Sequence, residues 1–214
     1  MKGHQSIESN KKMISIGLDM DGVLSKWAQG ATKIANKLWN LDLTESDFKM
    51  YDTRKVIIQK IQEKQDKSST PLEYNFIPHI TYDNLCPPGF FLNLEPYEGI
   101  YNAVKQLSEL GNITIITKPL EWNYCPDEKI KWLKKYLPLI KYDIIMVNKA
   151  EQKGLINVDY MIDDDPRVLE SSNRVCFMPN RPWNRNYKVK RWYHYKVDTL
   201  AEIIKLIKKD KGNY

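Results

Sequence analysis

The sequence predicts an α/β fold: a parallel sheet covered by helices on both faces, with a small helical segment inserted after the first strand. Three observations carry that expectation. From Pro96 onward, short runs rich in Ile and Val alternate with stretches of helical rhythm. The strand-like runs end in polar residues, several of them aspartates. The rhythm breaks over residues 25–94, so the next core strand comes only after Asn112.

Each element has its own local reason. Residues 15–19 (SIGLD) read as the first strand, and residues 28–40 (AQGATKIANKLWN) have a helical apolar rhythm. Residues 55–67 (KVIIQKIQEKQDK) read as a polar helix, followed by an irregular proline-rich link over 68–89. Ile100, Ala103, Val104, Leu107 and Leu110 recur at spacings of three and four, with Gly111 placed to end that helix. Residues 112–118 (NITIITK) form a β-branched run suited to a buried parallel strand. Residues 125–137 open with Pro126, Asp127 and Glu128, the chemistry of a helix N-terminus. Residues 142–148, 158–165 and 174–179 are the next strands. Asp198 is placed to cap a last helix, with Leu200, Ile203, Ile204 and Ile207 on one face. The reading divides the chain into a core, 13–25 and 95–214, and an insertion, 26–94.

A chain of 214 residues suffices for one such domain and its insertion, but not comfortably for two independent domains. Its 42% apolar content supports a packed core. No apolar run approaches a membrane span, and the first twelve residues lack the apolar centre of a signal peptide, so a cytoplasmic protein is expected. The three cysteines are scattered and without a CxxC, which fits reduced thiols, not a disulfide frame or a zinc site. His4, His79 and His194 are scattered as well. The net charge of +6 suits an anionic ligand, from a phosphate to a nucleic acid. Much of it lies in runs such as KIKWLKK and KLIKKDK, which read as solvated helix faces. Residues 180–196 interleave Arg and Lys with Trp and Tyr, a composition that also suits stacking on single-stranded nucleic acid. The preferred reading is a long loop closing over the sheet edge, and nucleic acid is not the expected partner.

The chemistry lies at the strand ends, where open parallel sheets bind ligands. The first strand ends in Asp19 and Asp21, the second in Thr117 and Lys118, the fourth in Asp163, Asp164 and Asp165. Lys149 and Lys153 lie just before the fourth. Several carboxylates on one rim repel one another unless a cation sits among them, and all-oxygen ligands suit Mg²⁺. A hydroxyl and a lysine complement phosphate oxygens. One aspartate can attack phosphorus while the other exchanges protons with the leaving group and then with water.

The stretches DMDGVL and IITK, a lysine ten residues before DD, and IDDDP resemble the four ordered motifs of the haloacid dehalogenase superfamily of aspartate-nucleophile phosphatases. More narrowly, LDMDGVLSKW, FFLNLEPYEGIYNAVKQL and YCPDEKIKWLKKYLP resemble the 5′(3′)-deoxyribonucleotidase family, over about residues 14–180. The resemblance implies a Rossmann-like core with a helical cap, and a Mg²⁺-dependent phosphomonoesterase acting on nucleoside monophosphates through an aspartyl-phosphate. It assigns Asp19 as nucleophile and metal ligand, and Asp21 as general acid/base that also offers its backbone carbonyl to the metal. Thr117 becomes the phosphate-binding hydroxyl and Lys153 the phosphate lysine, favoured over Lys149 by its spacing to Asp163. Asp164 becomes the direct metal ligand, with Asp163 supporting it. Trp27, eight residues beyond Asp19, falls where the family places an aromatic ring near the base, with core packing as the alternative. The second motif usually continues with serine and proline, whereas here Lys118 precedes Pro119; its role divides between phosphate contact and solvent. Asp165 reads as a turn or helix cap, and Phe90 and Phe91 as packing where the insertion returns. Another small phosphoester, a nucleic-acid end, or a non-catalytic nucleic-acid binder are the competing readings. The base, the sugar, the phosphate position and a homodimer stay open.

Overall fold

The computed structural model describes residues 13–66, 80–120 and 124–212. Six parallel strands form one sheet: β1 (Ile14–Leu18), β2 (Gly111–Thr117), β3 (Asp143–Met146), β4 (Tyr160–Ile162), β5 (Val175–Pro179) and β6 (His194–Val197), in the order β3-β2-β1-β4-β5-β6. In register, Ile16 pairs with Ile113 and Tyr160, and Leu18 with Ile115 and Ile162. The helices in chain order are α1 (Trp27–Trp39), α2 (Thr53–Asp66), α3 (Tyr82–Leu85), α4 (Ile100–Leu110), α5 (Tyr124–Tyr136), α6 (Ala150–Lys153), α7 (Pro166–Ser171) and α8 (Leu200–Gly212). The proline-rich link predicted over 68–89 lies largely outside the described residues.

The strand alternation divides the core in two. Ile16, Leu18, Ile115, Tyr160, Ile162 and Phe177 point to one face, into a cluster with α1, α2, α4, α5 and α8. Ile116, Met161, Cys176 and Met178 point to the other, beneath α6 and α7. Both faces are therefore covered, and the inner strands β1, β2, β4 and β5 read as largely apolar runs. Because β1 sends its connection to β2 on one side while β4 lies on the other, the crevice at their carboxyl ends is the topological switch point.

Four elements differ from expectation. The fourth strand is short, so Asp163–Asp165 follow it as a loop. The predicted edge loop over 180–196 contains a sixth strand, His194–Val197, whose half-polar HYKV sequence carries little strand signal and which pairs with β5 alone. Thr199, not Asp198, caps α8: its Oγ1 accepts from the Glu202 N–H at 3.2 Å, while the Asp198 N–H donates to Glu202 Oε2. The run KIKWLKK is not a solvated face throughout, since Lys129, Trp132 and Leu133 on α5 are buried. Glu128 is likewise buried, where it accepts backbone N–H groups of Gly89 at 2.5 Å and Phe91 at 3.0 Å. It thereby ties the stretch after α3 to α5.

Candidate active site

At the end of β1 the chain turns sharply, with the Leu24 and Ser25 N–H groups both donating to the Met20 carbonyl. The turn needs Gly22 for two reasons. Its φ is +80°, and a Cβ there would lie 2.5 Å from the Asp164 carboxyl carbon. The turn brings Asp19 to the mouth of the sheet, where its Oδ1 accepts from the Met20 N–H at 2.7 Å and pairs with Lys153 Nζ at 2.8 Å. Lys153 comes from α6 and also donates to Asp163 Oδ2 at 3.0 Å. Thr117 ends β2 and is almost fully buried. A cavity of about 370 Å³ opens on Asp19, Asp21, Thr117, Lys153 and Asp164, and extends to Trp27 of α1, Arg54 of α2 and Tyr82 of α3.

The carboxylates play different parts. Ligand atoms of Asp19, Asp163 and Asp164 lie within 4.8 Å of one another, and all three residues are buried. Both oxygens of Asp163 are taken, Oδ2 by Lys153 and Oδ1 by the Asp165 N–H at 2.9 Å. Asp164 Oδ2 accepts from the Trp183 indole N–H at 2.6 Å, but its Oδ1 is buried with no hydrogen-bond partner. Asp165 caps α7, accepting from the Arg167 N–H and holding the Arg167 guanidinium. Asp21 stands apart from this group. Its carboxylate accepts from Ser25 Oγ at 2.9 Å and is paired with Lys129.

A model of the family described as "5' nucleotidase, deoxy (Pyrimidine), cytosolic type C protein" matches residues 12–211. The chain belongs to this family. It is a 5′-nucleotidase-like hydrolase. A 5′(3′)-deoxyribonucleotidase from Clostridium acetobutylicum is 28% identical over 195 residues, covering 89% of this chain and 96% of its own. One from Bacillus subtilis is 27% identical over 176 residues, 82% of this chain and 89% of that protein. Among solved structures, a haloacid dehalogenase-like hydrolase from Burkholderia xenovorans superposes with a TM-score of 0.57, at 12% identity, over 92% of this chain and 97% of that one. A HAD-hydrolase from Bacillus subtilis solved with bound magnesium gives 0.53 at 12% identity, over 92% and 99%. These likenesses establish the haloacid dehalogenase-like fold.

In this nucleotidase-family chain the predicted residues meet around one cavity, with gradations. Asp19, Thr117, Lys153 and Asp164 are buried at its floor, whereas Lys149 is solvent-exposed. Lys118 borders the cavity from an exposed position. Trp27 does two things at once: it packs edge-on against Tyr82 and Phe90, with centroids at 6.3 and 6.1 Å, and it lines the cavity. Burial is the leading cause of the raised proton affinity of Asp19, opposed by Lys153 and reinforced by Asp21. Burial and the Asp19 charge push Asp164 up to about 8 against the pull of Lys153. Burial alone would lower Lys153, but the Asp163 and Asp19 carboxylates outweigh it and hold the ammonium charged.

Sequence reasoning passed over four contributors. Lys129, fully buried, pairs with Asp21, donates to Thr117 Oγ1 at 3.1 Å and lies 4.9 Å from the Phe91 ring centroid. Arg181 donates from Nε to the Gly22 carbonyl at 2.7 Å, and its guanidinium lies over the Tyr97 ring. Trp183 and Asn184 hold the Asp164 side chain and backbone carbonyl. The last three belong to the basic aromatic stretch read as an edge loop. The YCPDEK likeness ran through Lys129, but the residue's charge made it look solvated.

Proposed function

We propose that this chain is a Mg²⁺-dependent phosphomonoesterase that dephosphorylates (deoxy)ribonucleoside monophosphates through an aspartyl-phosphate. The observation that carries the reading is the convergence of Asp19, Thr117, Lys153 and Asp164, from four separate points in the chain, on one cavity. Its volume falls in the range of about 300–1,000 Å³ typical of small-molecule sites. The names of the deoxyribonucleotidase relatives support the nucleotide assignment.

The donor set fits a hard divalent cation. Three buried carboxylates with a single lysine deep among them would, when ionised, carry excess negative charge that a cation balances, and Asp164 Oδ1 is a buried oxygen without a partner. Asp19 and Asp164 would hold the ion with the Asp21 backbone carbonyl, while Asp163, already engaged on both oxygens, supports from behind. Bound Mg²⁺ supplies positive charge that keeps the carboxylates ionised and offsets the charge on phosphate.

Asp19 attacks phosphorus as a carboxylate, its orientation set by the Met20 N–H and Lys153. A P–O bond forms to Asp19 as the bond to the sugar oxygen breaks, and Asp21 delivers the proton that oxygen takes up. Asp21 then removes a proton from water, whose oxygen attacks the phosphoryl group and returns Asp19 as a free carboxylate. Lys153 and Thr117 bind the phosphoryl oxygens, with Lys118 at the rim. Residues 26–94 serve as the cap, and Trp27 and Tyr82 offer ring faces to the base. The buried free thiols fit a reducing, cytoplasmic setting, and among the described residues no helix is long and apolar enough to cross a membrane.

The test is phosphate release across nucleoside monophosphates, with Mg²⁺ or with chelator, for the wild type and Asp19→Asn. Activity should require Mg²⁺ and vanish in the variant, because an amide is a poor nucleophile. Near-normal hydrolysis by a homogeneous Asp19→Asn sample would sink the mechanism.

A further inference from the structure

We infer that Trp183 is a positioning residue for the divalent cation, fixing the Asp164 carboxylate so that one oxygen is reserved for the ion. The inference rests on the metal reading given above, and it concerns this chain's own geometry. Asp164 is 3% exposed, and its two oxygens are treated unequally. Oδ2 accepts the Trp183 indole N–H at 2.6 Å, while Oδ1 is buried without a partner. The backbone carbonyl of the same residue accepts from Asn184 Nδ2 at 2.9 Å. Two consecutive residues thus hold Asp164 at both its backbone and its side chain.

The choice of an indole has a chemical reason. A lysine or arginine at this position would also donate a hydrogen bond, but its positive charge would oppose a cation a few ångströms away. The indole N–H is a neutral donor with no accepting capacity, so it cannot itself ligate a metal. It satisfies one oxygen and leaves the other as the ligand, and its apolar ring limits water at the carboxylate.

The donor is itself held in place. Trp183 sits in the 3₁₀ turn Pro182–Asn184, in which Asn184 Oδ1 accepts the Arg181 N–H at 2.9 Å. Arg181 in turn donates to the carbonyl of Gly22, the residue whose bare Cα makes room for the Asp164 carboxylate. The turn therefore bridges the β1 loop and the end of β4. Partners that orient a metal ligand commonly matter by 10- to 100-fold in affinity.

The experiment is Mg²⁺ titration by calorimetry on the full chain, comparing wild type with Trp183→Phe and Asp164→Ala. Trp183→Phe keeps an aromatic ring and removes the donor; its Kd for Mg²⁺ should rise by about 10- to 100-fold, with the Mg²⁺ activation constant rising in parallel. Asp164→Ala should bind no ion at the site. In the wild type, the Trp183 indole ¹H–¹⁵N resonance should move saturably with the calorimetric Kd, a readout that does not depend on the variant folding. An unchanged Kd in folded Trp183→Phe, or an indole resonance indifferent to Mg²⁺, overturns the proposal. A wild type that takes up no Mg²⁺ overturns the metal reading, and this proposal with it.

Discussion

Replacing Lys129 with methionine should slow turnover by about two orders of magnitude while leaving the chain folded. The ammonium of Lys129 has no solvent exposure and meets the Asp21 carboxylate, the Thr117 hydroxyl and the Phe91 ring. Methionine keeps the length and the apolar stem and removes the charge. Asp21 would then retain its Ser25 partner on Oδ1 but lose the partner of Oδ2. A hydrogen bond to a charged group contributes about 1.5–3 kcal/mol, and a positioned general acid about 10²–10⁴ in rate. Losing one of two orienting contacts places the effect near 10²-fold, or about 2.7 kcal/mol on the barrier. Stability should move less, because the Asp21 side chain is 25% exposed and can be rehydrated once its partner is gone. Steady-state kcat and KM for phosphate release, with a thermal melt of the same sample, measure both quantities. Lys129→Arg restores the charge with a larger, planar group and should recover only part of the rate. A kcat for Lys129→Met within about three-fold of wild type would refute the reasoning and leave Lys129 a structural counter-ion.

Three further outcomes follow from the site. In metal-free protein the folded state keeps a proton on Asp164 between the ordinary 3.8 and about 8, where the unfolded chain has lost it. Because the native state binds more protons across that window, stability falls as pH rises through it; Asp19 adds in the same direction. The increase in Tm on adding Mg²⁺ should accordingly be larger at pH 8 than at pH 5, where protons compete for the ligands, and equal shifts at both pH values would contradict it. Gly22→Ala combines a left-handed backbone with a Cβ 2.5 Å from the Asp164 carboxyl, so calorimetry should show Mg²⁺ binding lost or weakened at least ten-fold. Trp27→Ala should lower kcat/KM for nucleotides by about one to two orders of magnitude, the worth of one base stack, and affect a small aryl phosphate much less. Equal losses on both substrates would make Trp27 a packing residue only.

How much could be read before folding depends on how local each signal is. A strand buried on both faces must be an apolar run, so IGL, ITII and VCFM declare themselves without knowledge of their neighbours. A parallel sheet collects the carboxyl ends of its strands on one rim, so the polar residue that ends each run belongs to the site wherever the strand lies in the order. Asp19, Thr117 and Asp164 were legible for that reason, and Lys153 through its spacing to Asp163. The edge strand His194–Val197 was not, because pairing on one side only lets polar residues into it.

Lys129, Arg181, Trp183 and Asn184 belong to the other kind. A lysine in a lysine-rich helix has the same local chemistry whether it faces water or a buried carboxylate. Only the packing of α5 against the β1 loop and Phe91 puts Lys129 on Asp21. Likewise, a stretch of Arg, Trp and Asn past β5 looks like a surface loop until β6 draws its far end to the sheet edge. Its near end then meets Gly22 and Asp164, 159 and 19 residues away from Arg181 and Trp183 respectively. The carboxylates at the mouth of the sheet are written into strand ends, where the backbone alone decides position. The groups that hold them come from elements whose role is set by long-range packing, a property that no short stretch of sequence contains.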